Sequence, residues 1–206
     1  MFIDEERRII FIHVAKAAGS SIHIALKNAS GWKMGDKRRD DPLPFIHHMP
    51  AKDLVQQRPE YSEYYKFAIT REPIDRLRSG YIDFLTAADR RDYHMSAKEY
   101  GNFEDFCKAF PESAWPADPH FRPQHEMVCD SAGKIMVDIG KYENLRDDLS
   151  RIGGKLGFDV NPFGFIEHHR NNQAKRTKFD TTLTAETEKS IKDFFSRDYE
   201  LFGYER

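Results

Sequence analysis

Cysteine is scarce: Cys107 and Cys129 are the 2 among 206 residues. Two thiols cannot build a disulfide framework or a four-ligand zinc site, so buried reduced cysteines are the expectation, with a single bridge between them left open. Neither sign of charge is in excess, since 32 Lys plus Arg stand against 34 Asp plus Glu. That balance excludes a chain whose main business is coating nucleic acid, while leaving room for a local basic cleft. Apolar runs fall far short of the roughly 18 residues of a membrane span. Repeats, low-complexity tracts and linkers are missing too, so one domain over residues 1–206 is expected. Met1 to Arg8 are charged rather than apolar, and the reading is a cytoplasmic chain without a secretory signal. Aromatic residues are plentiful: 16 Phe and 9 Tyr exclude disorder over most of the length and supply a core that needs no crosslinks.

The hydrophobic pattern alternates between two periods. Ile9 to Val14 is a continuous, β-branched run that reads as a buried strand, and Ile22, Ala25, Leu26 and Ala29 then follow at helical spacing. Residues 31–44 are charged and broken by Gly and Pro, and a short helix is expected between Pro50 and Tyr61, closed by Pro59. Tyr65 to Thr70 is a second strand, leading into a helix with Pro73 at its first position and Ile74, Leu77, Tyr81, Phe84 and Leu85 on one face. Phe103 to Phe110 suggests a further short helix, and the four prolines of Pro111 to Pro123 imply irregular chain. Ile135 to Ile139 is a third strand candidate. Helices are expected over Leu145 to Leu156, stopped by Gly157, and from a Thr184 cap through Tyr199. Strands alternating with helices predict an α/β fold with a central, mostly parallel sheet flanked by helices.

Chemistry concentrates in two strand-to-helix passages. In the first, Lys16, Gly19, Ser20 and Ser21 lie between the buried strand and the helix. A helix N-terminus offers unsatisfied N–H groups and the positive end of its dipole; a glycine lets an anion approach the backbone; lysine and serines add charge and donors. A serine-capped turn beside a solvated lysine is the plain alternative. A nucleotide triphosphatase loop requires glycines ahead of the lysine and Ser or Thr directly after it. Here the lysine comes first, which disfavours a P-loop kinase. The second passage places Arg71 at the carboxyl end of the second strand, where open α/β sheets bind ligands, and Ser79 two turns into the next helix. An ordinary surface arginine and a small packing serine would look the same.

Taken together, the two segments resemble the family of sulfotransferases that use 3′-phosphoadenosine 5′-phosphosulfate (PAPS), and within it the carbohydrate sulfotransferase branch. Ile12 to Ile22 is similar to the family's 5′-phosphosulfate loop, and Thr70 to Tyr81 to its 3′-phosphate element. Similarity continues through His120-Phe121-Arg122-Pro123-Gln124, Gly140 to Leu145 and Asp198 to Tyr204. The family more often carries Asn or Asp where Glu72 stands, and Thr or Ser where Ala17 stands. The resemblance implies a P-loop-like sulfotransferase fold and PAPS as donor, with no metal. Lys16 would neutralise the oxygen bridging sulfate and 5′-phosphate, and Ala18, Gly19, Ser20 and Ser21 would hold that phosphate. Arg71 and Ser79 would hold the 3′-phosphate, and Lys175 with Arg176 would close on the donor.

The acceptor implied is a carbohydrate or glycoconjugate hydroxyl, which needs a base. The branch carries a histidine at the spacing of His47-His48, matching His48 more closely. Histidine's ordinary pKa of about 6.5 suits proton abstraction at neutral pH. His47, His120, Arg122 and Gln124 resemble acceptor-side residues, although bracing of an irregular stretch explains the last three nearly as well. The rival expectations are a P-loop nucleotide kinase and a nucleotide- or glycan-binding module without chemistry.

Overall fold

The structure, a computed structural model, describes residues 1–19, 21, 22, 26, 48–86, 97–157 and 179–206. The chain divides into two units: Met1–Thr70 with Gln124–His168, and Arg71–Pro123 with His169–Arg206.

The first unit is built on a four-stranded sheet in the order β1 (Phe2–Asp4), β2 (Ile9–Ile12), β3 (Tyr65–Thr70), β4 (Asp138–Lys141). Strands β2, β3 and β4 run parallel, with Phe11 opposite Phe67 and Phe67 opposite Asp138; β1 pairs antiparallel on the edge, Phe2 opposite Phe11. The continuous apolar run of β2 is explained by burial of all four of its residues, as expected of an inner parallel strand covered on both faces. Lys66 in β3 is the exception that needs accounting. Its ammonium donates to the carbonyls of Tyr61 (2.8 Å), Ser62 (2.7 Å) and Tyr64 (2.8 Å), so a buried charge carries three partners. Burial still pushes its pKa below the ordinary lysine value.

Helices α1 (Ala51–Gln57), α4 (Gln124–Val128) and α5 (Leu145–Leu156) belong to this unit. Helix α5 buries Leu145, Leu149, Ile152 and Leu156 and ends at Gly157 with φ of 77°, the left-handed cap that glycine adopts without a Cβ penalty. Asp138 ties sheet to helix: its carboxylate accepts from Tyr65 Oη (2.7 Å), Arg151 Nη1 (2.8 Å) and Lys155 Nζ (2.7 Å).

The second unit is helical: α2 (Pro73–Thr86), α3 (Phe103–Ala109), α6 (Ala185–Phe194) and α7 (Ser196–Phe202). Its core is aromatic. Phe106 is central, with ring centroids of Tyr81, Tyr100, Trp115, Phe110 and Phe121 at 5.0, 5.3, 5.5, 5.7 and 5.7 Å.

The α/β expectation with a mostly parallel sheet holds, and three local expectations change. Strand β1 lies in the stretch read as merely charged. The third strand is Asp138–Lys141 rather than 135–139. Ile135 instead bridges back to Cys129, because Asp130 starts a tight turn: its Oδ1 accepts from Ala132 N and Lys134 N (both 2.9 Å), and Gly133 takes φ of 83°. The last helix is two, broken at Phe195, whose buried ring packs on Phe110 at 5.7 Å. Thr184 does cap α6, accepting from Thr187 N at 3.3 Å. Both cysteines are buried and free, so the open question of a bridge closes on reduced thiols. No described helix is long and apolar enough to cross a membrane.

Candidate active site

Strand β2 runs straight into the lysine-bearing loop of the first unit. Val14, Ala15 and Ala17 are buried, which seats the loop in the core and leaves Lys16 half-buried. Two residues of the loop that are not glycine have left-handed backbone, Lys16 with φ of 65° and Ala18 with φ of 67°. Each costs of the order of 1 kcal/mol and persists only where the surroundings fix it. Left-handed residues in alternation are a recurring element of loops whose backbone N–H groups form an anion nest. Gly19, Ser21 and Ile22 are already helical, and Ile22 N donates to Ala18 O at 3.0 Å.

Gly19 is required by contact rather than by dihedral angle. A Cβ there would lie 1.8 Å from His13 Nε2 and 2.3 Å from His13 Cδ2. The His13 ring is itself held, stacked on Phe11 at 5.9 Å and tilted against His48 at 4.8 Å. His48 is half-buried, and its Nδ1–H donates to the backbone carbonyl of His13 at 3.3 Å. A carbonyl can only accept, so the proton sits on Nδ1 and the basic lone pair on Nε2. The first unit therefore packs Gly19 and His48 against His13, a residue that the sequence reading passed over as the tail of a strand, with Lys16 and Ala18 in the same loop and Ser21 in the helical turn after it.

The second unit opens at Arg71, the residue directly after β3. Its side chain is 4% exposed and lies 3.5 Å from Asp75 Oδ2. Asp75 also takes Arg78 in a short hydrogen bond. Ser79 is half-buried on α2. Arg76, fully buried on the same helix, donates to the carbonyls of His120 (3.0 Å), Phe121 (3.1 Å) and Arg122 (2.6 Å). Desolvation pulls its pKa down to about 10, opposed by the attraction of Asp198 and aided by repulsion from Arg71. Arg76 thus stays charged at neutral pH, with its guanidinium held by the three carbonyls.

His120 Nδ1 lies 2.9 Å from Asp118 Oδ1, and Arg122 is half-buried. Gln124 begins α4 in the first unit with its side chain buried. The expectations for Ser20, His47, Lys175 and Arg176 fall outside the described residues. Besides His13, the sequence reading missed Arg76 and Asp118, whose partners are a run of backbone carbonyls and a ring two residues away.

The model of the sulfotransferase family matches residues 1–205, and the chain belongs to that family. It is similar to carbohydrate sulfotransferase 14 of Danio rerio, 26% identical over 242 residues covering 99% of this chain and 62% of the relative. It is likewise similar to carbohydrate sulfotransferase 11 of Rattus norvegicus and of Mus musculus, each 22% identical over 99% of this chain and 66% of the relative. The chain thus spans somewhat under two thirds of the length of these curated relatives. No solved structure matches it.

Proposed function

We propose that the protein is a PAPS-dependent sulfotransferase that moves a sulfuryl group onto a hydroxyl of a carbohydrate or glycoconjugate. The observation that carries this reading is the Lys16–Gly19 loop, with two left-handed residues and a glycine that a packed histidine ring keeps bare. An anion-binding loop gives that combination a use, because strained backbone clusters where a ligand is held. Membership in the sulfotransferase family and the names of the similar proteins support the donor and the acceptor class.

In this reading the backbone N–H groups of Ala18 to Ser21, with the Ser20 and Ser21 hydroxyls, hold the 5′-phosphate. Lys16 neutralises the charge that grows on the bridging oxygen as its bond to sulfur breaks. Arg71 and Ser79 hold the 3′-phosphate, the group that separates this donor from ATP, and Lys175 with Arg176 closes on the donor. The acceptor oxygen forms its bond to sulfur in line with the leaving 5′-phosphate, as in phosphoryl transfer. Its proton passes to Nε2 of His48, which the Nδ1–H bond to the His13 carbonyl keeps in the basic tautomer. His47, His120, Arg122 and Gln124 are assigned to the acceptor side.

The test is calorimetric titration with 3′-phosphoadenosine 5′-phosphate, paired with sulfate transfer to a polysaccharide pool read by mass spectrometry. Wild type binds and transfers. His48→Ala binds with unchanged affinity and loses roughly 100-fold or more in turnover. Failure of wild type to bind, or unchanged binding after Arg71→Ala, overturns the reading.

A further inference from the structure

Proline content alone makes the stretch from Pro111 to Pro123 read as slack chain, but its centre is a turn held by hydrogen bonds from two sides. The Asp118 side chain is 2% exposed. Its Oδ1 accepts from the backbone N–H of His120 at 2.7 Å and from the ring Nδ1–H of the same residue at 2.9 Å. The Asp118 carbonyl accepts from Phe121 N (2.9 Å) and Arg122 N (2.8 Å), closing the turn. From the other side Arg76 takes the carbonyls of residues 120, 121 and 122. The imidazole is also fixed in rotation, with Phe84 edge-on at 5.4 Å and 73°. The ring therefore has little rotational freedom left, and its side chain remains 17% exposed.

A buried carboxylate is costly unless its oxygens are satisfied. Capping the turn needs only the backbone N–H of residue 120, which any residue but proline supplies. The second bond, to the ring, does something different: with the Nδ1 proton committed to a carboxylate, the neutral ring carries its lone pair on Nε2. This is the same division of labour by which a buried aspartate orients a histidine in hydrolytic triads. We propose that Asp118 and His120 form an oriented carboxylate–imidazole pair whose Nε2 accepts a hydrogen bond from a hydroxyl of the sugar acceptor, Asp118 acting as a positioning residue. The inference rests on the acceptor class proposed above and adds to it a named atom, a named tautomer and a second residue.

Two measurements test it. Nitrogen-15 spectra of the histidine rings in wild type read the tautomer without any ligand: a protonated Nδ1 and bare Nε2 on His120 is the expected pattern, and the opposite tautomer overturns the proposal. The second uses a pool of desulfated, hydroxyl-rich polysaccharides as acceptor probe, with 3′-phosphoadenosine 5′-phosphate affinity measured in parallel. His120→Ala raises the acceptor KM by about 10-fold, the size of one lost hydrogen bond, and leaves nucleotide affinity within about twofold. His120→Gln, whose Oε1 replaces Nε2 as acceptor, recovers part of the loss. Asp118→Asn keeps the turn and weakens the acceptor step, and in the His120→Ala background it has no further effect on KM, whereas a purely structural role adds in the double variant. Unchanged acceptor KM in His120→Ala overturns the proposal. Loss of nucleotide binding by wild type overturns the donor reading instead, and the ring spectrum still decides this one.

Discussion

Tyr199 donates its phenolic hydroxyl in a short hydrogen bond to the carboxylate of Glu72, 127 residues earlier in the chain. Glu72 also receives Ile74 N (3.2 Å) and Asp75 N (2.6 Å), so one side chain caps the first turn of α2 and anchors α7. Burial first, and Glu72 second, push the Tyr199 phenol well above its ordinary pKa, so it remains a donor throughout the accessible range. Tyr199→Phe keeps the ring and deletes the donor. A hydrogen bond to a charged acceptor sets the expected loss at about 1.5 kcal/mol, read as a lower urea midpoint at unchanged slope. A midpoint equal to wild type means that the link contributes nothing.

Arg76 makes a stronger prediction, because removing it strands more than one group. Arg76→Ala leaves the carbonyls of residues 120 to 122 without their donor and the buried Asp198 without the cation that faces it. Breaking a buried charge in this way costs about 3–5 kcal/mol. Arg76→Lys keeps the charge and loses the planar fork that spans three carbonyls, and is expected to recover less than half of that loss. Equilibrium denaturation of the three proteins gives the ranking; a lysine variant as stable as wild type contradicts the clamp.

How much of this was legible beforehand depended on whether the signal was local. Strands β2 and β3 were visible because inner parallel strands are continuous apolar runs, and Gly157 was visible as a helix stop because its left-handed backbone is glycine's own. Strand β1 was hidden, since Phe2-Ile3-Asp4 becomes a strand only by pairing with Ile9–Phe11. Strand β4 contains Asp138 and Gly140, poor strand formers that tertiary contacts justify: Asp138 meets Tyr65 and Arg151, and a Cβ on Gly140 would sit 2.6 Å from Ile69 Cδ1. In the site, Lys16 and Gly19 were readable as a spacing between strand and helix. The reason for Gly19 was not, because it is the ring of His13. Arg76 escaped for the same cause: no pattern of residues announces that a guanidinium will find three backbone carbonyls.

Gly19→Ala tests that reason directly. The added methyl must displace the His13 ring, which in turn leaves Phe11 and His48. Affinity for 3′-phosphoadenosine 5′-phosphate is expected to fall by about 10-fold or more, with a stability loss of about 1–3 kcal/mol from overpacking. His13→Ala in the same chain removes the clash, so the double variant regains stability over Gly19→Ala alone, a sign reversal that independent sites cannot give. Additive losses would mean that the glycine serves some other end.

Acid titration isolates a last link, between α3 and the start of α6. Glu104 Oε1 accepts from the hydroxyls of Thr187 (2.6 Å) and Thr184 (2.9 Å), and its Oε2 from Thr184 N (3.0 Å). The Thr187 hydroxyl is the chief cause, with Thr184 and Lys108 assisting against partial desolvation, of a pKa held down from the ordinary 4.5 to about 2. Because the folded form binds this proton more weakly than the unfolded one, the carboxylate's contribution is complete above pH 4.5 and drains away as pH falls toward 2. Glu104→Gln keeps the shape and removes the titration. Its stability is therefore expected to lie below wild type at neutral pH, and the gap to narrow between pH 4.5 and 2. Urea unfolding at a series of pH values measures both curves. A gap constant with pH would show that the threonines bind the side chain for its shape and not for its charge.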